Sequence, residues 1–296
     1  MDQDSVLLLG NGVNRIHNTY SWENLLRELV DYADKSETIL IKDKPFPLLY
    51  EEIVLRSKQH SGKKEEEIKR YIAELSAKLN PNNIHRSIML SGFTNILTTN
   101  YDYTLENAGD CPSVNCSDIN ETKYSIFRRQ CAGKTTIWHI HGEEKAAGSI
   151  LLGYEHYAAY IQQMRNYVNS IDEKDNSVSI NLPSGTNTVL SWLDIFFTKN
   201  IYILGLSLDY TEIDLWWLLT YRARGKHLSR YSGNKGNRLV YICRQNEYIK
   251  NYSKMQVLES MGVHIESFDL KSGNWERFYE EALEYIAASG SVENAI

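Results

Sequence analysis

Four short segments carry side chains able to do chemistry. His139-Ile140-His141-Gly142 sets two imidazoles two residues apart, which on a strand puts both on one face. Such a pair suits a metal, but only Glu143 and Glu144 stand near enough to complete it, so no metal site is expected. The alternative is a structural His139 and a His141 that serves as a general base beside a glycine. Thr98-Thr99-Asn100-Tyr101-Asp102 offers an amide with donor and acceptor and a carboxylate that can take two hydroxyls, a set that grips ribose. The same Asn100 and Asp102 also suit an Asx turn or a helix cap. Gly10-Asn11-Gly12-Val13-Asn14-Arg15 would let backbone N–H groups approach a pyrophosphate, or form a plain tight turn. Arg15 stands where a GxGxxG fingerprint needs glycine, and no GK[ST] follows as a Walker A loop requires. Gly205-Leu206-Ser207-Leu208-Asp209 pairs a glycine with a hydroxyl for phosphate and a carboxylate for ribose; alternatively Ser207 or Thr211 caps the next helix.

Each segment follows an apolar or β-branched run, as a positioning strand requires. Val6–Leu9, Phe93–Thr99, Thr135–Ile140 and Ile201–Leu204 are the four runs, with Arg238–Cys243 and Val263–Phe268 as further strands. Helical spacing alternates with them: Trp22 to Val30 behind an N-cap at Ser21, 154–171, 188–198, Asp214–Arg224, 246–261 and 274–288. Residues 108–120 read as loop, 172–187 as a flexible polar loop and 291–296 as a tail. The charge run Lys63–Glu67 reads as a solvated face of a helix that continues through Leu79. The pattern predicts one α/β domain over 1–290, a doubly wound parallel sheet of Rossmann-like type with helical insertions at about 36–90 and 154–198. In such sheets ligands sit beyond the carboxyl ends of the strands, where all four chemical segments fall.

The totals narrow the function classes. The sequence has 296 residues, 42% hydrophobic and 24% charged, an ordinary composition for a folded domain. A net charge of −6 argues against direct nucleic-acid binding. No window is long and apolar enough for a membrane span, and Met1-Asp2-Gln3-Asp4 lacks the basic start of a signal peptide, so a cytoplasmic protein is expected. The 4 cysteines include one loose pair, Cys111 and Cys116, too little for structural zinc, and no disulfide framework is expected in that compartment.

Together and in this order, the four segments resemble the sirtuin (SIR2) superfamily. Gly10–Asn14 is similar to its GAGxS loop, Thr98–Asp102 to its TQNID element, Ile140-His141-Gly142 to its LHG element and Gly205–Leu208 to its GTSL element. Sirtuin deacetylases carry two CxxC pairs between the last two elements; that stretch has no cysteine here. The chain therefore looks more like the zinc-less SIR2-like NADases of bacterial anti-phage defence. Gly10-Asn11-Gly12 and the stretch Gly205–Asp214 also resemble the AbiH abortive-infection family.

That resemblance implies NAD⁺ as substrate, without zinc, and hydrolysis of the nicotinamide–ribose bond as an abortive-infection effector. His141 would be the base and Asn100 would hold ribose and water, with Thr99 beside it; Asp102 would fix ribose hydroxyls. Gly10, Asn11, Gly12 and Asn14 would cradle the pyrophosphate, and Gly205, Ser207 and Asp209 would hold the adenosine side. Two other readings remain open: an NAD-dependent deacylase or ADP-ribosyltransferase, and a non-catalytic sensor of NAD or ADP-ribose. Control would come from homo-oligomerisation or a separately encoded partner, an ATPase or a sensor.

Overall fold

The computed structural model describes residues 4–16, 22–33, 39, 41–117, 123–169, 191–225, 236–270 and 274–293. The expected cap Ser21, the segment 172–187 and residues 294–296 lie outside the described residues.

One sheet organises the chain. Its strands are β1 (Ser5–Leu9), β2 (Asn95–Thr98), β3 (Ser113–Asn115), β4 (Arg129–Ala132), β5 (Thr135–His139), β6 (Asn200–Leu204), β7 (Leu239–Arg244) and β8 (Val263–Phe268). They lie in the order β3-β4-β5-β2-β1-β6-β7-β8. From β5 to β8 every neighbouring pair is parallel. The order runs from β1 outward through β2 to β5, then returns to the other side of β1 at β6, β7 and β8. That reversal opens a crevice at the carboxyl ends of β1 and β6.

The strands read as unbroken apolar runs because both of their faces are covered. Side chains alternate between two cores. Val6, Leu8, Leu97, Trp138, Ile201, Ile203, Leu239 and Tyr241 face one; Leu7, Leu9, Ile96, Ile137, Tyr202, Leu204, Val240 and Ile242 face the other. In the first core they meet α6 (Tyr154–Asn169), α7 (Trp192–Thr198), α8 (Ile213–Ala223) and α10 (Tyr252–Ser260). In the second they meet α4 (Asn83–Leu90), α5 (Thr104–Ala108) and α11 (Trp275–Glu293). A third, smaller core joins α1 (Trp22–Ala33), α2 (Phe46–His60) and α3 (Glu65–Ser76) to Ile150 and Leu152. At about 25 cal/mol per Å² of apolar area, covering both sheet faces is the main stabilising contribution to this architecture.

Several expectations need correction. The sheet is mixed, because β4 pairs antiparallel with β5 and β3 antiparallel with β4. Both strands are short and polar at one edge, and β3 lies inside the stretch read as loop; Gly133 and Lys134 form the two-residue turn between the paired Ala132 and Thr135. This hairpin brings Cys116 and Cys131 to a Cα–Cα distance of 5.8 Å and joins them in a disulfide, against the expectation of none. The helix expected over 246–261 is broken at Asn251 into α9 (Gln245–Lys250) and α10, and α11 runs on to Glu293. The charge run is not wholly a solvated face: Glu65 accepts from Tyr50 Oη at 3.1 Å and pairs with His156 Nε2 at 2.6 Å, tying α3 to α6.

Candidate functional site

The loops after β1, β2, β5 and β6 converge on one cleft of about 810 Å³, within the range of ligand pockets. It is lined by Asn11, Gly12 and Asn14 from the first loop and by Thr99, Asn100 and Asp102 from the second. His141 follows β5; Gly205, Ser207 and Asp209 follow β6. Gly10 does not line the cleft. Its N–H donates to Leu204 O at 3.0 Å, and an added Cβ would stand 2.5 Å from Gly205 O, so it is the point where the first and fourth loops touch. Gly12 makes the same close approach one turn later: a Cβ there would lie 2.6 Å from Tyr279 Oη and 2.8 Å from Gly205 O.

His141 is buried, and its Nε2 pairs with Asp214 Oδ2 at 2.8 Å. A carboxylate only accepts, so Nε2 carries a proton, and in the neutral ring Nδ1 keeps the lone pair. Nδ1 has no hydrogen-bond partner among the described residues. Burial works against a charged imidazole, but Asp214, and less strongly Glu212, lift His141 above the ordinary histidine value. Gly142 makes this placement possible. It sits at φ 95°, and a Cβ there would meet Ser149 O at 2.4 Å, so any larger residue would push the His141 loop away from the Ser149–Ile150 segment.

His139 serves a different partner set, which argues against a paired metal site. Its Nδ1 lies 3.0 Å from Asn100 O and its Nε2 lies 2.7 Å from Glu106 Oε1. The carbonyl can only accept, so Nδ1 donates to it. Burial opposes the charged form, yet Glu106 outweighs it and raises His139 to about 9, an imidazolium at neutral pH. His139 thus clamps the backbone of Asn100 from behind. Glu143 is also engaged elsewhere, accepting from Tyr103 Oη at 2.7 Å, Arg128 Nη1 at 2.8 Å and Gln130 Nε2 at 3.0 Å. Among the described residues no group of three or more His, Cys, Asp or Glu is arranged to hold a metal ion.

Asn100 donates Nδ2 to Gly10 O at 3.4 Å, while its Oδ1 is buried without a partner. Asp102 has both oxygens engaged: Oδ2 accepts from Asn14 Nδ2 at 2.8 Å, and Oδ1 from Thr104 N at 3.1 Å and Thr104 Oγ1 at 2.5 Å. Asp102 therefore turns the chain into α5 and fixes Asn14, whose Nδ2 also reaches Asn11 Oδ1 at 2.7 Å. Ser207 and Asp209 are exposed at the cleft mouth. Asp209 Oδ1 accepts from Thr211 N at 2.9 Å and Oγ1 at 2.7 Å, and Leu208, between Ser207 and Asp209, sits at φ 46°.

Residues beyond the expected set join the cleft. Asp214 backs the cleft through His141 without lining it; the sequence shows it as the end of the Gly205–Asp214 stretch at the start of a helix, and its place beside His141, 73 residues away, is a product of the fold. Glu212 also lines the cleft, with Oε2 buried and unpartnered. Burial raises its pKa to about 7; Asp214 and Asp209 add to this, while His141 pulls it down. Tyr157 of α6 lines the cleft with its ring edge-on to His141, centroids 5.8 Å apart.

Among the described residues no helix is long and apolar enough to cross a membrane. A family model described as a SIR2-like domain matches residues 94–264, from the start of β2 into β8, which is more than half of the chain. The Gly10–Asn14 loop lies outside that match, and no curated protein matches the chain.

Proposed function

The chain belongs to the SIR2-like family, which ties it to NAD chemistry, and from that premise we propose that it is an NAD⁺ glycohydrolase. One observation carries this reading: His141, paired behind with Asp214, lines the same cleft as Asn100, whose side-chain oxygen is buried without a partner. A buried unpaired acceptor is costly in the free protein and is explained by a ligand that brings the donor. The glycines at 10 and 12 let the first loop close against the Gly205 turn, their own N–H groups donating to Leu204 O at 3.0 Å and Gly205 O at 2.8 Å, and the pyrophosphate would lie along the face of that loop that lines the cleft at Asn11, Gly12 and Asn14.

In the proposed reaction NAD⁺ lies across the switch point, with the pyrophosphate against Gly12 and Asn14 and the adenosine side toward Gly205, Ser207 and Asp209. Asp102 acts by holding Asn14, and Thr99 leads into the Asn100 turn. Asn100 Oδ1 takes a hydroxyl of the nicotinamide ribose or the attacking water. The C1′–N1 bond breaks, both electrons pass to the nicotinamide, and that leaving group departs neutral, so it needs no strong acid. The sugar passes through an oxocarbenium-like state. His141 Nδ1 takes the proton of the water that bonds to C1′, and Asp214 stabilises the imidazolium that results. Zinc has no part in this chemistry.

The proposed biological role is NAD⁺ depletion in the cytoplasm during phage infection. It follows from the resemblance of Gly10–Asn14 and Gly205–Asp214 to defence proteins. Control by self-association or by a separate ATPase or sensor belongs to the same proposal. The test is chromatographic detection of nicotinamide from NAD⁺ with the purified chain, beside Asn100→Ala and His141→Ala. Release by the wild type and a loss of about 100-fold or more in both variants supports the reading. Release that survives His141→Ala, or label that moves from NAD⁺ to protein, overturns it.

A further inference from the structure

Glu212 occupies the turn between β6 and α8 and lines the cleft together with His141, Asn100 and Tyr157. Its backbone is held on both sides: its N–H donates to Asp209 O at 3.0 Å and its carbonyl accepts from Trp216 N at 3.1 Å. The Asp209–Thr211 turn before it and the left-handed Leu208 set the direction from which the side chain is presented. Oε2 is nonetheless buried and receives no hydrogen bond. A carboxylate oxygen stripped of water and given no donor is destabilising. Two such acceptors, Glu212 Oε2 and Asn100 Oδ1, line one cleft, and a sugar with vicinal hydroxyls supplies two donors.

We infer that Glu212 is a further catalytic residue: its carboxylate accepts hydroxyl hydrogens of the nicotinamide ribose and faces the positive charge that grows on C1′ as nicotinamide leaves. The inference rests on the proposed NAD⁺ cleavage. Glu212 forms no covalent bond. The overall step remains NAD⁺ plus water giving nicotinamide, ADP-ribose and a proton, and that proton passes through His141. The carboxylate acts because a fixed negative charge in an enclosed site stabilises an oxocarbenium more than it stabilises the ground state. In the free protein burial, and after it Asp214 and Asp209, disfavour this charge, while His141 favours it. A cationic nicotinamide riboside restores that charge on binding.

Glu212→Gln keeps the shape and removes the charge; Glu212→Asp keeps the charge on a shorter arm. Nicotinamide release is measured for both, and calorimetric titration compares ADP-ribose with ADP, which lacks the second ribose. Glu212→Gln is expected to lower kcat about 100-fold, in the range of one lost transition-state contact. It should weaken ADP-ribose about 10-fold and leave ADP unchanged, as for one lost charged hydrogen bond. Glu212→Asp should recover part of the lost kcat. A Glu212→Gln kcat within threefold of wild type overturns the inference, as does equal weakening of ADP-ribose and ADP. If the wild type releases no nicotinamide, the hydrolase reading fails on its own account. The ADP-ribose against ADP comparison then decides alone whether Glu212 meets the ribose.

Discussion

Asp214→Asn tests the catalytic pair without changing its volume. Both side chains are sealed, at 4% and 0% exposure, and meet at 2.8 Å, so the interaction is barely screened by water or salt. The carboxylate does two things. It lifts the His141 pKa against burial, and by accepting from Nε2–H it keeps the lone pair on Nδ1. An asparagine that turns its NH₂ toward Nε2 reverses the tautomer and removes that lone pair. Loss of a correctly held general base costs about 10²–10⁴ in rate, and the retained ribose and pyrophosphate contacts place the expected fall in kcat near 10²-fold. The pH profile adds a sign. The base works as neutral imidazole, so wild-type release rises with pH through a midpoint above the ordinary histidine value of about 6.5. Without Asp214 only burial remains as a strong influence, and the midpoint moves to lower pH. Glu212 titrates nearby, at about 7, so the acid limb reports the cluster and not His141 alone; the direction of the shift is the diagnostic quantity. The assay is initial-rate nicotinamide release across the histidine range, with KM followed separately. A variant with wild-type kcat and an unmoved acid limb would refute the pairing argument.

Three further outcomes follow from the same geometry. Glu106→Gln should remove a stabilisation on the order of 3 kcal/mol, the size of the net His139 shift from 6.5 to about 9, in which Glu106 is the leading cause acting against burial. Because His139 has the raised pKa, that stabilisation is complete below about pH 6.5 and fades as pH climbs toward 9; denaturant melts of wild type and variant should therefore converge at high pH. Gly12→Ala should abolish NAD⁺ binding while the sheet still folds, because its Cβ would need Tyr279 Oη at 2.6 Å and Gly205 O at 2.8 Å to move; calorimetry showing wild-type affinity would contradict this. Cys116→Ser should lower stability by about 3 kcal/mol under oxidising conditions, as expected for a cross-link closing a loop of this length. Reductant should lower the wild-type melting temperature to the level of the variant; indifference to reductant would count against the bond.

The parts of this molecule that were legible beforehand share one property: their signals are local. Val6–Leu9 and Ile201–Leu204 announce central parallel strands because both faces are buried, so no polar position interrupts them. Their glycine-rich ends mark the rim of the cleft for the same reason, since only a strand's carboxyl end places such turns over the switch point. Edge structure was hidden. Ser113–Asn115 and Arg129–Ala132 are too short and too polar for a periodicity to show, and the Cys116–Cys131 bond depends on that hairpin. Long-range pairing was hidden as well. Asp214 has the sequence context of an ordinary acid in the first turn of a helix, and Glu106 that of a solvated residue in a short helix. Each is set against a histidine only because the sheet lays β2, β5 and β6 in parallel with their following loops at one end. His139 and His141, which spacing alone places on one face, are given different partners by the fold, Asn100 and Glu106 for the first and Asp214 for the second.

The most direct measurement is a crystal structure of the His141→Ala variant with NAD⁺ bound. Intact NAD⁺ should lie across the carboxyl ends of β1 and β6, its pyrophosphate at Gly12 and Asn14 and its nicotinamide ribose beside Asn100 and the vacated imidazole position. NAD⁺ bound in the opposite direction, or outside this cleft, would contradict the account.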